Sequence, residues 1–94
     1  MNEPRMINPS DIHLFHFGMQ DVLNSMEEKE MRRWKLRRAM ILSNSEHTLI
    51  NIYLKLPNGE MLETQTDLVN YADDFVTIKG GINIPTWIIS DVDA

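Results

Sequence analysis

Residues 50–68, INIYLKLPNGEMLETQTDL, decide the fold of this chain. Apolar and polar residues alternate on both sides of Asn58-Gly59, which predicts two antiparallel strands joined by a hairpin. Asn-Gly is a strong hairpin signal because both central residues of a type I′ turn need a positive φ. The residues predicted to face the core are Ile50, Ile52, Leu54 and Leu56 on the first strand and Leu62, Thr64, Thr66 and Leu68 on the second.

The residues that follow the hairpin predict three more short strands. They cover residues 75–79, 82–84 and 87–92 and are separated by turns at residues 70–74 and at Gly80-Gly81. Pro85 lacks an amide proton, so it belongs at a sheet edge or a bend. The sequence therefore predicts an antiparallel sheet made of short strands and tight turns.

The residues before the hairpin predict a helix. Residues 1–7 are expected to be frayed, and Asn8 as N-cap with Pro9 at the first helical position begins a helix over residues 9–31. Its apolar stripe is Ile12, Phe15, Met19, Val22, Leu23 and Met26. Gly18 either lies within this helix or ends a shorter one, and the pattern leaves both open.

Residues 34–42 alternate with a period of two, which favours a strand, although an extension of the helix remains open. The predicted fold class is α+β: an N-terminal amphipathic helix followed by a strongly bent antiparallel sheet of five or six strands over residues 34–92. A sheet this short must curl to bury its apolar face, so we expect a small barrel in one domain spanning residues 1–94.

From Leu49 onward the chain resembles an Sm-like or SH3-like small barrel, and specifically the bacterial Sm-like RNA chaperones. The resemblance rests on residues 50–54 leading to Asn58-Gly59, on residues 74–78 as a third strand and on residues 84–92 as the last two. It implies RNA binding through an aromatic-Lys-His segment. The matching residues here are Pro85-Thr86-Trp87, without the Lys and the His.

Charge is distributed unevenly along the chain. The net charge is -5, yet residues 32–38 carry five basic groups and no acidic one. This basic block, residues 32–38, is a candidate surface for nucleic acid or for an acidic partner, and the ring of Trp34 is available for base stacking. Its alternating charges could instead protect an exposed strand edge or form salt bridges with the acidic segment before it. The candidate binding residues are Arg32, Arg33, Trp34, Lys35, Arg37 and Arg38.

The composition excludes several classes of site. The chain has no cysteine, so disulfides, thiolate zinc sites and thiol nucleophiles are excluded, and a cytoplasmic location without signal peptide or membrane span is expected. His13 and His16 lie three apart but lack a third ligand at a suitable spacing, and Asp73-Asp74 is typical of a turn. We therefore predict no catalytic residues, no metal and no cofactor.

A second apolar surface is predicted at Met61, Phe75 and Trp87, which lie at the less buried positions of their strands. Exposed apolar patches on small domains usually mark interfaces. The sequence thus favours a non-enzymatic binding or adaptor domain that acts through protein contacts or self-association. The alternative is an Sm-like regulator that binds RNA or single-stranded nucleic acid through residues 32–38.

Overall fold

The computed structural model describes residues 3–94. Within this range the chain forms one α-helix and seven strands, which confirms the α+β class. The elements are β1 (Arg5–Met6), α1 (Met26–Glu46), β2 (Ile50–Lys55), β3 (Met61–Thr66), β4 (Leu68–Tyr71), β5 (Phe75–Ile78), β6 (Ile82–Pro85) and β7 (Ile89–Asp93), with 3₁₀ turns at Pro9–Leu14 and Thr86–Ile88.

The strands form two sheets. One has the order β1-β3-β2-β7 and the other the order β4-β5-β6, and all pairs are antiparallel except β1 with β3. Asp67 alone separates β3 from β4, so the chain passes from one sheet into the other within a single residue. The strand pairing over residues 3–94 does not close the two sheets into a barrel, and closure stays a prediction.

The hairpin at residues 50–68 forms with the predicted inward face. Leu54 pairs with Leu62, and all eight residues expected in the core are buried. The predicted type I′ turn is wrong, because Gly59 has a φ of 91° while Asn58 does not take a positive φ. Pro57 favours the second position of a type I turn, and the Gly59 amide donates to the Leu56 carbonyl at 2.9 Å to close it.

The predicted fraying through Ile7 is wrong for Arg5, Met6 and Ile7. Arg5–Met6 pairs with the edge of β3, and the Ile7 amide donates to the Glu63 carbonyl at 2.8 Å. The edge of β3 offers unpaired backbone groups, and half-buried Ile7 packs on the core. The first two residues of the frayed segment lie outside the described residues.

The predicted helix over residues 9–31 is also wrong in extent. Asn8 and Pro9 begin a helical turn as expected, but it is a 3₁₀ turn that ends at Leu14. Residues 15–24, including Gly18, are non-helical and are held by Trp87: its indole donates to the Gly18 carbonyl at 3.0 Å, and its carbonyl accepts from the Val22 amide at 2.9 Å. Tertiary contacts therefore replaced a helix that the apolar spacing favoured.

Residues 34–42 are helical, so the predicted strand is wrong. The helix α1 runs from Met26 to Glu46 and buries Arg32, Leu36, Ala39 and Ser43. Two of these four residues are polar and one is small, so the helical period of the buried face is hidden in a hydropathy pattern. From Trp34 onward, apolar residues happen to recur with a period of two, which predicted a strand in place of the helix.

The helix packs across both sheets through β4 and β7. Leu36 and Ala39 are fully buried in the hydrophobic cluster that the strands form. Ser43 Oγ accepts a hydrogen bond from the Leu68 amide at 2.9 Å, which fixes α1 against the start of β4. No helix in residues 3–94 is both long and apolar enough to cross a membrane.

Candidate functional site

The helix begins at a capping box formed by Ser25 and Glu28. The Ser25 hydroxyl accepts from the Glu28 amide at 3.1 Å, and the Ser25 amide donates to Glu28 Oε1 at 3.2 Å. The hydrogen bonds from the Ser25 hydroxyl and amide lower the pKa of Glu28. The pattern S-x-x-E at residues 25–28 is a sequence signature of a helix start, and it could have located α1 from the sequence.

Arg32, a candidate binding residue, points into the protein. Its side chain is 7% exposed, and its two terminal nitrogens donate to the carboxylate oxygens of Asp21 at 2.8 and 2.7 Å. It also donates to the Ile89 carbonyl at 3.0 Å. Burial raises the pKa of Asp21, but the hydrogen bonds from Arg32 and from the Leu23 amide outweigh it and hold that pKa below its ordinary value. Arg32 thus joins residues 15–24 to α1 and β7.

The remaining basic residues of the block do not share one environment. Lys35 lies at the side of the helix, where its ammonium group is 2.8 Å from Asp91. Arg33 and Arg37 are exposed. The guanidinium of Arg38 lies 5.6 Å from the centre of the Trp34 ring, within the range of a cation–π contact. The basic block is therefore split rather than gathered into one positive surface.

The face of α1 opposite its buried residues carries large apolar side chains. Met31, Trp34 and Ile41 are 54%, 57% and 62% exposed. The outer helix face is defined by the positions Glu27, Met31, Trp34, Arg38 and Ile41, which follow one another at spacings of four, three, four and three. Sequence reasoning missed this face because it ended the helix at Met31 and placed Ile41 on a strand, so the two residues were not on one helix.

Trp34 separates two shallow concave surfaces on this face. The one toward the N-terminus of α1 is lined by Met26, Glu27, Glu30 and Met31. The one toward the C-terminus is lined by Arg37, Arg38, Ile41 and Leu42. One half of the face is therefore apolar and acidic, and the other half is apolar and basic.

A cleft that contains both basic and acidic side chains borders the outer helix face. Trp34, Lys35 and Arg38 share a cleft with Tyr53 and with residues 91–94 at the end of β7, which include Asp91 and Asp93. Burial, followed by the charge of Glu63 and of Asp93, raises the pKa of Tyr53. These carboxylates reduce the positive potential that Lys35 and Arg38 would present to a polyanion.

The three residues predicted as an interface are distributed over two places. Phe75 and Trp87 lie together, with ring centres 6.3 Å apart in an edge-to-face arrangement, and Phe75 is 46% exposed. Met61 lies on the other sheet, where its sulfur is 3.9 Å from Ser90 Oγ. Trp87 is half-buried and anchors residues 15–24.

His13 and His16 are exposed near the 3₁₀ turn, and His47 caps the C-terminus of α1 in the left-handed conformation at a φ of 55°. Within residues 3–94 no group of three or more His, Cys, Asp or Glu side chains is arranged to hold a metal ion.

No family model, curated protein or solved structure matches this chain in the comparisons. The resemblance to the Sm-like barrels accordingly stays a prediction, and the function has to be argued from the surface itself.

Proposed function

We propose that the protein is a non-enzymatic binding domain that contacts a protein partner through the outer helix face. The observation that carries the proposal is the line of exposed side chains formed by Met31, Trp34 and Ile41, on the side of α1 opposite its buried residues. Apolar side chains on the side of a helix that faces away from the core do not stabilise the fold while they are exposed, and such a patch usually marks an interface.

The residue types on this face support the same proposal. Trp, Met and Arg are enriched at the centres of protein interfaces, and aromatic and arginine side chains supply a large part of the binding energy there. Trp34 lies at the centre of the face with Arg38 against its ring, so its position matches that of an interface anchor.

We further propose that the two sheets together form a small barrel of the SH3-like or Sm-like kind, which serves as the scaffold for α1. Three features support this: Asp67 alone separates β3 from β4, the 3₁₀ turn Thr86–Ile88 leads from β6 into β7, and β7 returns to pair with β2. In such a scaffold the helix is an addition to the barrel, free to carry the contact surface.

Binding of single-stranded nucleic acid is the second candidate. The exposed pair of Trp34 and Arg38 favours it, since an aromatic ring beside a guanidinium can stack a base. Against it, Arg32 and Lys35 are occupied by Asp21 and Asp91, and the net charge of -5 opposes a polyanion. The protein-binding proposal is therefore the stronger one.

Photo-crosslinking tests the proposal without knowledge of the partner. A photoreactive amino acid placed at position 34 or 41 in the full chain, and irradiated in the native cells, should give a crosslinked protein species. The matched control places the same amino acid at Lys79, which is exposed in the turn between β5 and β6 and does not belong to the outer helix face. We expect crosslinking at 34 and 41 and little at 79.

Equal crosslinking at all three positions, or none at 34 and 41, would contradict a contact surface on this helix. A labelled single-stranded RNA of about 15 nucleotides at about 50 mM salt tests the second candidate. We expect either no binding or binding that is the same for the wild type and for Trp34→Ala. RNA binding that depends on Trp34 and weakens steeply with salt would replace the protein-binding proposal.

A further inference from the structure

We infer that the partner of the outer helix face is a second copy of this chain, bound with the two helices antiparallel. This inference rests on the proposed function, because it names the occupant of the same surface. It is carried by the opposite charges of the two halves of that surface.

The spacing of the outer helix face is that of a helix-pairing seam. Positions 27, 31, 34, 38 and 41 alternate steps of four and three, which is the a/d pattern of a heptad repeat. The helix has 21 residues, a length of about 31 Å at 1.5 Å per residue, and the seam runs along most of it. Two such helices can pack at a small crossing angle with their Trp34 side chains near the centre.

The flanking charges select the direction of the pair. Glu27 and Glu30 lie toward the N-terminus of the seam, and Arg37 and Arg38 lie toward its C-terminal half. A parallel pair would bring the acidic ends together and the basic ends together. An antiparallel pair related by a two-fold axis places the acidic half of each copy against the basic half of the other.

In one antiparallel register the seam and the charges agree from Glu27 to Arg38, while Ile41 lies beyond the paired segment, opposite residue 24 of the second copy, which precedes α1. When Met31 packs beside Trp34 of the second copy, Glu27 faces Arg38 of that copy, and Glu30 in the flanking g position faces Arg37, also in a g position. Flanking charges of this kind set partner choice and orientation in paired helices. The two-fold axis repeats each contact, so one sequence supplies both members of every charge pair.

The size of the contact sets the expected strength. One helix face covers less than the roughly 800 Å² per partner of a standard interface. We therefore expect a reversible dimer whose dissociation constant lies in the micromolar range. Analytical ultracentrifugation of the full chain from about 10 to about 300 µM should show a concentration-dependent rise from 11.0 kDa toward twice that mass.

Charge reversal tests the antiparallel arrangement. Glu30→Arg alone places two arginines opposite each other at this contact, and Arg37→Glu alone opposes two glutamates, so each variant should dissociate at least about ten-fold more readily. A mixture of these two variants should restore association. In the mixed dimer the introduced arginine of one copy faces the introduced glutamate of the other, and the symmetry-related contact keeps the native pair of Glu30 with Arg37. Lys79→Glu, a charge reversal in the turn between β5 and β6, is the matched control and should leave the dimer unchanged.

A chain that stays monomeric at about 300 µM would overturn the inference. So would a dimer that both single reversals leave intact, or one that the mixture fails to restore. The proposed function is judged separately: a crosslink from position 34 or 41 to a different protein would leave the binding face standing and make the second copy the wrong occupant. RNA captured at this face would overturn both.

Discussion

Asp21→Ala should lower the free energy of unfolding by about 3–5 kcal/mol, because it leaves the guanidinium of Arg32 buried without a counter-charge. The two nitrogens that now donate to Asp21 would lose both hydrogen bonds, and the guanidinium would keep its bond to the Ile89 carbonyl. The loss should also release residues 15–24, which the pair fixes to α1. Urea denaturation followed by circular dichroism measures the change.

Arg32 and Arg33 provide the control for this prediction. Arg32→Ala should also be strongly destabilising, whereas Arg33→Ala, one residue further along an exposed part of the helix, should change stability by less than about 0.5 kcal/mol. The double variant of Asp21 and Arg32 should cost less than the two single changes added together, since each single change already breaks the pair. Equal effects of the two arginine substitutions would show that the ion pair contributes nothing specific.

The same pair predicts how stability depends on acid. The folded pKa of Asp21 lies below its ordinary value, so its contribution is fully present above the unfolded pKa of about 3.9 and is lost as pH falls through the folded pKa. The urea midpoint of the wild type should therefore fall more steeply below about pH 4 than that of Asp21→Asn. Parallel curves for the two proteins in this range would contradict the assignment.

Leu36→Ala should lower the free energy of unfolding by about 3–5 kcal/mol. Leu36 is fully buried where α1 meets the hydrophobic cluster, so its truncation removes apolar contacts and leaves a cavity that the sheets cannot fill. Leu49→Ala is the matched control, since Leu49 is 51% exposed just before β2, and the same change there should cost less than about 1 kcal/mol. Similar midpoints for the two variants would mean that α1 does not pack on the sheets as described.

The sheet could be predicted from the sequence because its strands carry their own pattern. Ile50, Ile52 and Leu54 alternate with polar residues, and a side-chain period of two leaves only one face for the core. The hairpin register followed from that face and from the single turn at residues 57–59. The turn type did not, because Pro57 moved the positive φ to Gly59 alone.

The helix could not be placed from hydropathy because its two faces are unusual. Its buried face includes Arg32 and Ser43, and their hydrogen-bond partners are distant in sequence: Asp21 and the Ile89 carbonyl for Arg32, and the Leu68 amide for Ser43. Its outer face carries Met31 and Trp34, which a hydropathy pattern assigns to a core. The candidate site was therefore half predicted: Trp34, Arg37 and Arg38 were named, while Arg32 proved to be an internal contact.

The sequence by itself determined the α+β class, the buried face of the hairpin and the acidic and basic segments, since each of these depends on residues close together in the chain. Only the tertiary structure decided that residues 32–38 lie on a helix, which of their charges are neutralised and which remain at the surface. The physical reason is that a buried charge needs a partner, and the partner of the buried Arg32 is Asp21. Lys35 is partly exposed and pairs with Asp91. Both partners lie at distances along the chain that no local pattern reports.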